Sequence, residues 1–97
     1  MKSLKSQFSD FFELPEEVIL DLPLIMLVGP EKLFLENHKG ITLYRKDLIK
    51  IRINPGFLII KGNELEINEI AANKLYISGS ISGLNYCNTR VGGNNNG

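Results

Sequence analysis

The feature that most constrains this chain is a run of strict period-two alternation. Across residues 47–54, Ile49, Ile51 and Ile53 fall on one side and Lys50 and Arg52 on the other. A helix turns about 100° per residue and would scatter these isoleucines around its surface, whereas an extended strand sends alternate side chains to opposite faces. The segment therefore predicts a strand with one dry face and one wet face, the pattern of an antiparallel sheet covered on one side.

The neighbouring segments repeat the theme. In residues 32–36, Leu33 and Leu35 oppose Phe34 and Glu36, and Asn37-His38-Lys39-Gly40 follows as a turn before a return strand at residues 41–45. Asn54-Pro55-Gly56 has Pro and Gly where a type II turn wants them, and residues 57–61 are a compact strand. Gly62-Asn63 suits a two-residue hairpin turn with Gly first. Leu65 and Ile67 point inward in the next alternation, Ala71-Ala72-Asn73 interrupts it, and a last strand spans residues 75–86, where Gly79 and Gly83 suggest bulges. Ahead of all these, the apolar residues 18–28 predict a buried strand after Pro23, ended by Gly29-Pro30. Turn signals about every ten residues, with no long helix between strands, predict a mostly β domain: a small antiparallel β-sandwich or open barrel built as a meander.

The ends read differently. Residues 1–13 predict a short N-terminal amphipathic helix, since Leu4, Phe8, Phe11 and Phe12 share one helical face. Lys2 and Lys5 are balanced by Asp10 and Glu13, so this face is expected to dock on the sheet and not on a membrane, where the polar side is strongly basic. Pro15 disfavours helix at Leu14, which opens a single β domain over residues 14–87. Residues 88–97, rich in Gly and Asn, read as a flexible low-complexity tail.

Composition narrows the function classes. The 97 residues carry 11 basic and 11 acidic side chains, so no global charge draws the chain to nucleic acid or anionic lipid. Residues 38–62, however, hold six basic side chains against one acidic. Lys46, Lys50 and Arg52 there form a candidate basic interaction face, able to match an acidic partner. Tyr44 and Phe57 nearby would suit a small-barrel single-strand nucleic-acid surface, but such surfaces sit in clearly basic domains and this reading is disfavoured. One cysteine, Cys87, fits a reducing cytoplasm. Residues 1–13 lack a secretory apolar core. The apolar residues 18–28 are broken by Asp21 and Pro23, well short of the roughly 20 residues a membrane span requires.

Chemistry-bearing constellations are sparse. A structural zinc needs about four ligands, mostly Cys and His, and this sequence offers His38 and Cys87. The same two residues make a poor nucleophile and base, one in a turn and the other beside the tail. Glu64 and Glu66 share a strand face, and cross-strand ion pairs with Lys50 and Arg52 account for all four. No glycine-rich loop lies between a strand and a helix, as a phosphate cradle requires. The expectation is a protein that is no enzyme, with no catalytic residue, no metal and no cofactor.

Four segments in combination resemble one family. Leu14-Pro15-Glu16-Glu17-Val18-Ile19-Leu20-Asp21-Leu22-Pro23 looks like an opening signature of the YabP/YqfC family of sporulation proteins, specifically its YqfC type. Leu35-Glu36-Asn37-His38-Lys39-Gly40-Ile41 resembles the family turn, and Ile59-Ile60-Lys61-Gly62-Asn63-Glu64-Leu65 its hairpin. Leu75-Tyr76-Ile77-Ser78-Gly79-Ser80-Ile81 resembles its final strand. The likeness covers residues 8–86 and finds no counterpart for the tail. It implies a β-sandwich-like domain without catalytic residues, made in the mother-cell cytoplasm of Firmicutes during endospore formation. It also implies a protein partner, a YqfD-type membrane-associated sporulation protein at the membrane around the forespore, with spore-coat assembly as the alternative and self-association left open. Within the family turn, Glu36, Asn37, His38 and Gly40 are the candidate site residues, in a structural or an interaction role. Asn tolerates turn geometry and Gly takes a positive φ.

Overall fold

A computed structural model describes residues 22–88, and within them the chain is entirely strand and turn. The strands are β1 (Leu24–Val28), β2 (Lys32–Glu36), β3 (Gly40–Tyr44), β4 (Leu48–Arg52), β5 (Phe57–Ala71) and β6 (Lys74–Cys87). They form one antiparallel sheet in the order β1-β2-β6-β5-β4-β3. The antiparallel all-β expectation holds. The β-sandwich or open barrel built as a meander is corrected to a single open sheet in which β6 lies between β2 and β5, and the expected helix over residues 1–13, like the tail beyond Asn88, lies outside the described residues.

The difference traces to Gly62 and Asn63. Instead of a hairpin turn they form an irregularity inside β5, which runs on for 15 residues, and the chain reverses at Ala72 and Asn73. The register of β5 against β6 shifts between Lys61 and Gly62 and again between Asn63 and Glu66. Glu64 takes φ +53° there and Gly79, on the facing strand, φ +130°. Bulges of this kind bend and twist a strand pair. A Cβ on Gly79 would come within 2.7 Å of the Glu64 carbonyl oxygen, and one on Gly62 would run into the Ser80 carbonyl. Both glycines thus permit the close approach of the two backbones at the bend.

The bend divides the sheet into two wings. The first holds β1, β2, residues 74–78 of β6 and residues 66–71 of β5; the second holds β3, β4, residues 57–61 of β5 and residues 83–87 of β6. Leu33, Leu35, Leu75 and Ile77 from the first wing and Ile49, Ile51, Ile53, Leu58 and Ile60 from the second are at most 4% exposed, and with Leu65 they make one cluster. The wings therefore turn toward each other over a shared core, as strands do where a bend carries them from one layer to the next. Each such side chain contributes about 1.5–3 kcal/mol on burial.

At the bend the long strands lose their lateral neighbours, and their amides need other acceptors. The two short hairpins supply them. Carbonyls of Pro30 and Glu31, in the β1–β2 turn, accept from Ile81 (2.7 Å) and Gly79 (3.2 Å). Carbonyls of Lys46 and Asp47, in the β3–β4 turn, accept from Leu65 (2.9 Å) and Gly62 (3.2 Å). The Tyr44 hydroxyl takes a further amide, that of Ile67, at 3.0 Å.

Candidate functional site

The family-like turn is the connector between the wings. Glu36 closes β2 in the first wing and pairs with Lys74 across the strand, Oε2 to Nζ 3.7 Å. Gly40 opens β3 in the second wing opposite Arg52. Between them, Asn37 sits at φ +70° and its amide donates to the Asn73 carbonyl at 2.7 Å, tying the connector to the β5–β6 turn. The Asn37 side-chain amide donates to the Leu22 carbonyl at 3.3 Å. Lys39 N–H donates to the Arg52 carbonyl at 2.7 Å. Gly40, at φ +146°, donates its amide to His38 Nδ1 at 3.1 Å. An imidazole that accepts at Nδ1 carries its proton on Nε2 when neutral. That Nε2 is buried and has no hydrogen-bond partner among the described residues.

The three basic candidates do not form one patch. Lys50 and Arg52 stand on the outer face of β4, while Lys46 lies in the β3–β4 turn and pairs with Glu64, Nζ to Oε1 3.5 Å. Register explains why the expected ion pairs of Lys50 and Arg52 with Glu64 and Glu66 do not form. Lys50 faces Ile59 and Arg52 faces Phe57, whereas Glu66 lies beyond the bend opposite Ser78. Lys50 instead holds its ammonium 4.6 Å from the centre of the Phe57 ring. Lys39, Arg52 and Phe57 line an open polar hollow beside the Asn54-Pro55-Gly56 turn. In that turn Gly56 has the positive φ, +90°, that a Pro-Gly turn requires, and the Asn54-Pro55 peptide is cis.

The outer face of the first wing is of another kind. Phe34 and Tyr76 stack with centroids 5.0 Å apart. Beside them Leu24, Met26, Phe34 and Ile70, with Glu36 and Lys74 as polar members, line an apolar groove of about 320 Å³. Ile70 is 57% exposed there. Lys32 donates to the Tyr76 hydroxyl at 2.9 Å, and that hydrogen bond, then the Tyr76 charge, raises the Lys32 pKa above its usual 10.5. β1, expected as a buried strand, is half-exposed at the sheet edge. The sequence reading passed over this face, although its signal was present: Phe34 and Tyr76 occupy the outward parity between inward Leu33, Leu35, Leu75 and Ile77.

Among the described residues no group of three or more His, Cys, Asp or Glu side chains is placed to hold a metal ion. No helix among them is long and apolar enough to cross a membrane. Comparison with known proteins gives one family: a family model described as the YabP family matches residues 22–93. The match reaches past Cys87, into the tail for which the sequence reading found no counterpart. The chain is also similar to the uncharacterized protein YqfC of Bacillus subtilis (strain 168), 29% identical over 83 residues, which span 86% of this chain and 89% of that protein. No solved structure matches it.

Proposed function

The chain belongs to the YabP family, a family of sporulation proteins, and on that premise we propose that it is a non-catalytic assembly module of endospore formation. The observation that carries this reading is the apolar groove on the outside of the first wing. A half-exposed aromatic stack beside a groove with one ion pair is the composition of a protein-binding surface: aromatic and apolar at the centre, charge at the margin. The occupant is an apolar segment of a protein partner. The resemblance that led to the family supplies the partner's class, a YqfD-type membrane-associated sporulation protein, met from the mother-cell side of the membrane around the forespore. The cationic outer face of the second wing supports a lesser role, alignment with an acidic surface of the same partner.

Crosslinking and pull-down of the tagged protein from sporulating cells, with membrane and soluble fractions kept apart, tests this. Recovery of a membrane-associated sporulation protein with the wild type, and its loss with Ile70→Glu, is the expected result. A free soluble species with no specific partner would overturn it. Salt-sensitive binding of single-stranded RNA by the purified protein would then make the Lys50, Arg52 and Phe57 face the working surface.

A further inference from the structure

Among the described residues β1 and β3 end the sheet, and they end it differently. An edge strand presents unpaired N–H and C=O groups, and proteins blunt such edges with bulges, charges or prolines. β3 is blunted: its register slips between Ile41 and Leu43, and the intervening Thr42 turns its hydroxyl onto the Lys50 carbonyl at 3.0 Å. The lateral edge of β5 beyond the bend carries Glu69 and another register shift, and that of β6 begins at the shift beside Gly83. β1 has none of the three within its own span, which Pro23 directly precedes. Its five residues, Leu24 to Val28, hold no charge and no proline, and all five keep one unbroken register with β2. Among the described residues nothing pairs with its outer side, and Leu27 and Val28 remain 45% and 50% exposed.

We propose that β1 pairs with β1 of a second copy, antiparallel about a two-fold axis at Met26, joining two sheets across one seam. Self-pairing deepens the assembly reading and rests on it, with the first partner of the module being itself. Parity admits only slips of an even number of residues, and among those registers a two-fold at Met26 is the one that pairs all five residues of β1. Leu24, Met26 and Val28 share the outer face with Phe34, while Ile25 and Leu27 share the core side with Leu33 and Leu35. A two-fold at Met26 sets Leu24 against Val28, Ile25 against Leu27 and Met26 against Met26, each outward residue on an outward one. A slip by one residue would set every apolar side chain against the wrong face. The flanking charges agree with this orientation. Glu36 stands beside Leu24 and Lys32 beside Val28, so each lateral row runs from the Glu36 of one copy to the Lys32 of the other. A parallel arrangement would end each row on like charges. The pairing is isologous, so it closes at two copies and leaves no β1 edge open. The two grooves lined by Leu24 and Met26 then lie on one continuous apolar face, at either side of the seam.

Sedimentation equilibrium of the purified full chain, carrying Cys87→Ser to remove the exposed thiol, reads the proposal directly. The expected mass is that of two chains. Leu27→Lys, and separately Val28→Lys, halves it without loss of the β-sheet circular dichroism, since both side chains already stand half in water. Adding Met26→Cys to Cys87→Ser yields a covalent dimer under mild oxidation, because facing antiparallel residues bring their Cα atoms to about 4.5–5.5 Å, within disulfide reach. Thr42→Cys on the other edge does not. A one-chain mass for the parent protein, a two-chain mass that survives both lysines, or equal crosslinking at Thr42→Cys would overturn the proposal. Ile70→Glu, which lies off the seam, keeps the two-chain mass. A dimer with no cellular partner therefore sinks the assembly reading alone, and a monomer that still recovers its partner sinks self-pairing alone.

Discussion

The two wings share an interior and differ in everything they show to the outside. Inward, both present aliphatic side chains at alternate positions, Leu33, Leu35, Leu75 and Ile77 in one and Ile49, Ile51, Leu58 and Ile60 in the other. Outward, the first wing carries the stacked Phe34 and Tyr76 and a regular apolar edge. The second carries Lys50, Arg52 and Lys61 with no acidic residue in register beside them, and a bulged edge. One set of rules for the inside therefore leaves two independent surfaces free to diverge, and the apolar one is where association is costly to avoid.

The shared interior carries the largest expected effects. Ile77→Ala in the first wing and Ile51→Ala in the second are each expected to cost about 2–5 kcal/mol, as fully buried truncations do. Both should leave a single cooperative urea transition. Two transitions, or a cost below about 1 kcal/mol in one wing, would mean that the wings are separate units. The joint between them comes next. Gly79→Ala forces an L residue to φ +130° and a Cβ against the Glu64 carbonyl, with an expected loss of about 1–3 kcal/mol in the same assay. A neutral result would say that the bend relaxes freely.

Smaller effects separate the outer faces. Phe57→Leu removes the ring beneath the Lys50 ammonium and is expected to cost about 0.5–1 kcal/mol in thermal or urea stability, with no change in mass by sedimentation. A change in mass would bring the second wing into the association. On the first wing, Lys32 is held protonated by Tyr76, so its pKa in the folded chain lies above the unfolded 10.5. The stabilisation is therefore complete below pH 10.5 and is lost as the pH rises through the raised value. The ammonium is fully exposed, so the effect is the smallest of the four. Urea midpoints of wild type and Tyr76→Phe, which keeps the ring and loses the hydroxyl, should differ at neutral pH and converge once the pH passes the raised Lys32 value. A gap that persists there would assign the difference to packing.

Strand identity was legible wherever one face is dry. The alternation at residues 32–36 and 47–54 marked the inward leucines and isoleucines individually, because a period of two is a local property of the backbone. What the sequence did not disclose depends on pairing between distant segments. Gly62-Asn63 carries the local chemistry of a hairpin turn, yet it stays within β5, which continues to pair with β6 on both sides of the irregularity. The expected salt bridges of Lys50 and Arg52 failed for the same reason: their partners are decided by register, and register sets Ile59 and Phe57 there. The turn at Glu36, Asn37, His38 and Gly40 was legible as a turn, but not as the crossing between wings, which follows only from the sheet order. The groove needed Phe34 brought to Tyr76 from 42 residues away, a contact that parity allows and only topology makes.

One measurement bears most directly on the account, namely that the first wing carries the association of this protein. Tagged wild type, Ile70→Glu and the doubly reversed Lys50→Glu/Arg52→Glu are recovered in parallel from sporulating cells after crosslinking, and the membrane-fraction partner is quantified against each bait. The expected result is recovery with wild type, recovery reduced at most a few-fold with the charge reversals, and loss with Ile70→Glu. Loss with the charge reversals and full recovery with Ile70→Glu would contradict it, and would move the working surface to the second wing.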